Sequence, residues 1–245
     1  MSDQPKLQSR VALITGAGKR LGHAIALRLA REGAEIAVHY GHSVADAQGL
    51  VREIEQMGRR SVALPSELTS VPAVQKLVSE VVTHFGRLDI LINTAATFLE
   101  TKFGQTTEQS WDTSLDTNLK APFFLSQAAA PHLASSGHGV IVNFADLGGI
   151  VGWREFLPHS LSKAGIIHMT RMLARELAPS IRVNAIAPGT ITMPGDPPEW
   201  QAEFMRNAPL RRSGRPDEVT DAVMYLITAE FVTGHTLVVD GGRSL

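Results

Sequence analysis

The sequence predicts an α/β fold: one doubly wound domain over residues 1–245, with a parallel sheet of about seven strands and helices on both faces. Three observations predict it. Short apolar runs alternate with longer amphipathic ones along the whole chain. The first apolar run ends in a glycine-rich stretch that opens the first amphipathic run. No linker, internal repeat or low-complexity tract breaks the alternation, so right-handed βαβ units are expected throughout.

The elements follow in order. "RVALITG" (10–16) is a buried strand ending in glycine, and "GHAIALRLAREGA" (22–34) is a helix stopped at Gly33. "EIAVHY" (35–40) is a strand, followed by a helix over 44–58 that ends at Gly58. "SVALP" (61–65) precedes a helix over 71–86, and "LDILIN" (88–93) is the fourth strand. Residues 108–136 carry a long apolar stripe and are expected to be helical. "GVIVNFA" (139–145) is the fifth strand, followed by a helix over about 159–178 and the strand "IRVNAIAPG" (181–189). A Pro/Gly-rich loop, a helix over 216–228 and "TLVVDGG" (236–242) complete the pattern. Sheets of this kind bind ligands beyond the carboxyl ends of their strands, so function is expected in the loops there.

Composition narrows the classes. The 23 basic and 24 acidic side chains give a net charge of −1, which offers no field for nucleic acid or an anionic membrane. Cysteine is absent, which excludes disulfides, thiolate metal sites and a cysteine nucleophile. "MSDQPKLQSR" has no apolar signal-peptide core, and no apolar run reaches membrane-spanning length. The expected setting is the cytoplasm and the expected partner a small molecule. No HExxH or HxxxH pair points to a metal, and none is expected. His132, His138, His168 and His235 are expected to be ordinary packing or surface residues.

The loop "TGAGKRLG" (15–22) joins the first strand to the first helix. Gly16, Gly18 and Gly22 let backbone N–H groups approach a pyrophosphate, whose charge the helix N-terminus favours. An acid at the end of the second strand would bind the ribose 2′-hydroxyl of NAD. This chain has "HYGHS" (39–43) instead. His39, His42 and Ser43 are donors, and Lys19 and Arg20 lie in the neighbouring loop, so NADP(H) is favoured over NAD.

With these motifs the chain resembles the short-chain dehydrogenase/reductase family, from Val11 to Gly242. "TGAGKRLG" looks like the family's TGxxxGxG loop, with Arg20 at the middle glycine. "LINTAA" (91–96) looks like its NNAG segment, "IRVNAIAPG" its nicotinamide-flanking stretch, and "FVTGHTLVVDGG" its C-terminal strand. The resemblance implies a Rossmann-type fold and a homotetramer. It implies cofactor contacts at the loop residues above and at Leu21, Glu67, Leu68, Asn93, Lys163, Pro188 and Gly189. It also implies a mobile substrate lid at about 190–210. Within the family the pteridine reductase-like branch is most similar. Arg20, "HYGHS", Phe98 (which would stack on a pterin, Arg20 also touching substrate) and Asp146 in the serine position carry that likeness.

The same resemblance places Asn118, Asp146 and Lys163 in a catalytic set and expects a tyrosine thirteen residues after Asp146. His159 stands there, in "LPHSLSK" (157–163). The two tyrosines, Tyr40 and Tyr225, lie elsewhere. Histidine titrates near neutral pH and can act as a general acid, although an imidazole reaches less far than a phenol. Three functions stay open: an NADPH-dependent reductase of a pterin-like or dihydrofolate-like heterocycle, a carbonyl or 3-oxoacyl reductase, and an NADP-binding pseudoenzyme or sensor. Trp153 and Trp200 lie in loops at the reactive end.

Overall fold

The computed structural model describes residues 5–197 and 208–245. Seven parallel strands form one sheet: β1 (Val11–Thr15), β2 (Glu35–Tyr40), β3 (Ser61–Pro65), β4 (Ile90–Asn93), β5 (Gly139–Phe144), β6 (Ile181–Pro188) and β7 (Thr236–Val239). Their order is β3-β2-β1-β4-β5-β6-β7. The order reverses between β1 and β4, which opens a crevice at their carboxyl ends.

Alternation along each strand divides the core. Ala12 and Ile14 of β1, with Ile36, Val38, Ile90, Ile92, Val140 and Val142, face one side. Three helices cover that side: α1 (Arg20–Arg31), α2 (Val44–Gln56) and α8 (Pro216–Thr228). Val11, Leu13, Leu91, Ile141 and Val183 face the other. Helices α3 (Val71–Phe85), α5 (Ala121–Ser135) and α7 (Leu157–Glu176) pack there. Both faces being buried explains why the strands read as continuous apolar runs.

Four expectations change. The long helix over 108–136 is α4 (Glu108–Leu115) and α5 joined by a π-helical turn, Asp116–Lys120. A π turn inside a helix commonly marks a functional position, and this one holds Asn118. Helix α7 begins at Leu157 rather than 159, with Pro158 tolerated in its first turn. A short helix, α6 (Gly148–Val151), follows β5 where the sequence suggested only loop. The last strand stops at Val239, because Gly241 and Gly242 adopt positive φ in a turn. The expected lid falls partly on 198–207, with Trp200, outside the described residues.

Candidate active site

The crevice between β1 and β4 is a cavity of about 470 Å³. Gly16, Lys19, Arg20, Leu21, Gly22, His39, His42, Glu67 and Leu68 line it, so most of the residues expected to hold a dinucleotide meet there. Two of the three loop glycines are demanded sterically. A Cβ on Gly22 would lie 2.5 Å from the Gly16 carbonyl oxygen, and one on Gly16 would lie 3.0 Å from Ala95 Cα at φ +65. At Gly18 a Cβ would make ordinary contacts with Ser43, Asp46 and Ala47. Thr15 ties the loop to the next one: its hydroxyl accepts the amides of Thr94 and Ala95, 3.1 Å each.

The expected phosphate donors are used differently. His39 is buried, 2 % exposed, and its Nδ1 accepts the Gly16 amide at 3.1 Å. That leaves Nε2 to donate to the Ser66 carbonyl, also 3.1 Å away. Burial lowers its pKa, against the Ser66 bond and Glu67, and favours the neutral ring. His39 therefore holds the glycine loop and has no nitrogen left for a phosphate. Lys19 pairs with Asp46 at 3.2 Å in an exposed contact. Asn93 is buried on β4, where its amide donates to Asn143 of β5 at 2.8 Å, so it ties strands rather than lining the crevice. His42 remains exposed at the crevice wall and Ser43 precedes α2, half-buried. Glu67 is occupied locally, accepting the Thr69 amide and hydroxyl, and these bonds hold its carboxyl below the usual range.

Asp146, His159, Asn118 and Lys163 come together at the carboxyl end of β5. His159 is also 2 % exposed. Its Nε2 lies 2.6 Å from Asp146 Oδ2, and its Nδ1 lies 3.0 Å from the Thr97 carbonyl. With both nitrogens protonated, each N–H has an acceptor. The Asn118 amide, 3.3 Å from Nδ1, donates to it in the neutral tautomer. The two hydrogens of the same Asn118 NH2 are shared with Thr97 O at 3.0 Å and Ser162 Oγ at 3.1 Å, while its carbonyl oxygen accepts the Thr97 amide. Ser162 in turn donates to the His159 carbonyl at 2.6 Å. The buried Lys163 ammonium donates to the Phe144 carbonyl at 2.7 Å, and desolvation lowers its pKa against the opposing pull of Asp146. The histidine is thus buried with a partner at each ring nitrogen. Within the pair Asp146 is the accessible member, its side chain 19 % exposed against 3 % for His159. Asp146 Oδ1 is buried without a hydrogen-bond partner, an unmet acceptor of the kind found at reactive sites.

Aromatic rings close over the histidine. Phe98, 58 % exposed, stacks on Phe156 at 4.3 Å and meets His159 edge-on at 4.8 Å. Trp153 lies parallel to the imidazole at 6.1 Å. Phe98, Trp153 and Phe156 line a second cleft of about 1160 Å³, together with Gly189 at the end of β6. Gly189 lets that end approach Asp240, where a Cβ would lie 2.8 Å from the Asp240 backbone. Arg20 lines both cavities. It sits at φ +51 and forms a two-pronged ion pair with Asp196, at 2.8 and 3.1 Å.

The family model described as Enoyl-(Acyl carrier protein) reductase matches residues 16–244. A short chain dehydrogenase from Burkholderia cenocepacia, solved with NADP, superposes with a TM-score of 0.92 at 34% identity, covering 98% of this chain and 100% of that one. The chain belongs to the short-chain dehydrogenase/reductase family. A blue fluorescent protein from a metagenomic library, solved with NADPH, has a TM-score of 0.91 at 31% identity over 98% of this chain and 99% of that one. Among curated proteins, 3-oxoacyl-[acyl-carrier-protein] reductase of Staphylococcus aureus is 36% identical over 96% of this chain and 98% of its own length. A (2S)-[(R)-hydroxy(phenyl)methyl]succinyl-CoA dehydrogenase subunit of Thauera aromatica is 35% identical over 98% of each.

Sequence reasoning did not find Thr97, Ser162, Phe156 or Asp196. Thr97 acts through backbone atoms, which any residue type carries. Asp196 meets Arg20 across 176 residues, beyond any local pattern. Ser162 was visible beside Lys163, but its bonds depend on the π turn that presents Asn118.

Proposed function

We propose that the protein is an NADPH-dependent carbonyl reductase, acting on a 3-oxoacyl thioester or a ketone of similar size. The observation that carries the proposal is the Asp146–His159 hydrogen bond, 2.6 Å, beside buried Lys163 and at the edge of an open cleft. The 3-oxoacyl-thioester reductases among its relatives and the NADP- and NADPH-bound neighbours support this reading over a pterin substrate. NADP(H) is the cofactor.

The crevice fits a dinucleotide, because Gly16 and Gly22 leave bare backbone at the start of α1, where the helix dipole favours a pyrophosphate. Leu21, Leu68 and Glu67 are assigned to the adenine side, and His42, Ser43 and Arg20 to the phosphates. Pro188 and Gly189 are assigned to the nicotinamide side and Lys163 to the adjoining ribose. When bound, NADPH supplies the hydride. The matching proton is assigned to the Asp146–His159 pair. From an Asp146 carboxylate paired with a His159 imidazolium, Nε2 passes its proton to Asp146, which hands it on to the substrate oxygen as that atom gains charge, so the carboxylate is restored. The imidazole ends neutral, with Nδ1–H on the Thr97 carbonyl. Lys163 raises the local potential beside the developing oxyanion, and Asn118 holds Thr97 and His159 in register.

A second reading, reduction of a planar heterocycle of the pterin or dihydrofolate type, is favoured by one observation: the exposed Phe98 ring beside Asp146's partner His159. Exposed apolar side chains on α5 (Phe123), α7 (Leu161, Met172) and around β7 (Phe231, Val238) support assembly as a homotetramer through symmetric contacts. Residues 190–210 are proposed as the substrate lid. No helix among the described residues is long and apolar enough to cross a membrane. The test is NADPH oxidation with a 3-oxoacyl thioester, simple ketones and dihydrobiopterin. Turnover of the thioester or ketones is expected. Turnover confined to the pterin favours the second reading, and none at all, with NADPH still bound, makes the protein an NADP-binding pseudoenzyme.

A further inference from the structure

The 1160 Å³ cleft has an aromatic wall and a charged rim, and among the described residues that line it cations outnumber anions. Arg20, Lys102, Arg154 and Arg243 face Glu155 and Asp196. Both acids are engaged. Asp196 takes the two-pronged bond from Arg20, and Glu155 lies 3.9 Å from Lys102, which also approaches Glu100 at 3.8 Å. Arg243 donates to the Thr190 hydroxyl at 2.6 Å. Arg154 alone of the four has neither a carboxylate nor a hydrogen-bond acceptor among the described residues.

Its position gives that charge a use. Arg154 directly follows Trp153, whose ring lies parallel to His159, and it precedes Phe156, whose ring stacks on Phe98. The cation is therefore carried on the same short loop as the aromatic wall. A flat ring laid on the exposed outer face of the Phe98–Phe156 stack would gain apolar burial and ring contact. A carboxylate, thioester-linked phosphate or other anion borne on that ring could then reach the guanidinium, which binds planar anions through two parallel bonds.

We propose that Arg154 is a specificity-determining residue and that the cleft selects substrates combining a planar, apolar reacting end with an anionic far end. The inference rests on the reading of this cleft as the substrate seat, and it deepens that reading by fixing the charge class. A neutral ketone of the same shape would lose the charge-assisted bond and keep the ring contacts.

The test uses a matched pair, 4-acetylbenzoate and its methyl ester, and measures their binding to the NADP⁺ complex of the full chain by calorimetry. Binding is the readout, so an inactive proton relay does not obscure the result. Absence of turnover with either probe would count against the reductase reading alone. The expected result is that the acid binds roughly tenfold more tightly than the ester at low salt, the scale of one charge-assisted bond. That gap should shrink as salt is raised. In Arg154→Gln, and equally in Arg154→Ala, the gap should close. Equal binding of acid and ester by the wild type, binding of neither, or a gap that persists in both Arg154 variants would overturn the proposal.

Discussion

The half of the molecule built on β1 to β3 and the half built on β5 and α7 each bury one histidine at the reactive edge of the sheet, His39 and His159, both 2 % exposed. Their partners differ. His39 lies between a backbone amide and a backbone carbonyl, a donor and an acceptor, which suits a neutral ring with one fixed tautomer. His159 lies between a carboxylate and a carbonyl, with an amide donor close behind, so more than one protonation pattern finds partners. A buried imidazole in the first setting is a fastener, while in the second it can gain and lose a proton without a stranded bond. Burial alone does not separate a structural histidine from a reactive one; the donor or acceptor character of its neighbours does.

The sharpest way to break the comparison is to remove the accessible end of the reactive pair. Asp146→Ala should lower turnover about a hundred- to ten-thousandfold, the range for loss of a general acid, with NADPH affinity by fluorescence titration nearly unchanged. On the other side, His39→Phe strands the Gly16 amide and the Ser66 carbonyl. It should cost about 1–3 kcal/mol of stability in urea unfolding and weaken NADPH binding, while a proton-transfer role would spare both. NADPH should bind at least about tenfold more tightly than NADH, or about 1.4 kcal/mol, because β2 ends without an acid and His42 and Ser43 lie beside the crevice. Equal affinities in titration would remove the cofactor half of the account.

The smallest expected effect is on acid stability. The folded-state pKa of His39 is depressed below its ordinary value of 6.5, so the unfolded chain binds the proton more readily. Its contribution is therefore fully present above the unfolded pKa. It is lost as pH falls through 6.5 towards the folded pKa. Melting curves at several pH values between 5 and 7.5 should show a shallower acid loss in His39→Gln than in the wild type. Parallel curves would show that His39 contributes nothing to that slope.

The dinucleotide half was largely legible because its constraints are local. Gly16 and Gly22 are forced by close backbone approach, and a strand, a glycine loop and a helix announce that approach in one stretch of chain. The pairing of Asp146 with His159 was legible only as a spacing of thirteen residues, and the structure brings the two side chains within 2.6 Å. What escaped was set by distant contacts. The inward turn of His39 depends on Ser66 at the end of β3, and the strand pattern marked His39 only as a possible donor. The π turn at Asn118 depends on no residue preference in "LDTNLK" and shows only in the backbone it widens. The aromatic wall joins Phe98 to Phe156 from loops 58 residues apart in the numbering, which no periodicity links.

The central claim is that Asp146 and His159 act as one proton-delivering unit with Asp146 on the substrate side. The direct measurement is a double-mutant cycle on turnover, comparing wild type, Asp146→Asn, His159→Gln and the double variant under saturating NADPH and the best ketone or thioester substrate. The account predicts that each single variant falls about a hundredfold or more and that the double variant is little slower than the slower single. Losses that multiply in the double variant, or a His159→Gln enzyme as fast as the wild type, would contradict it.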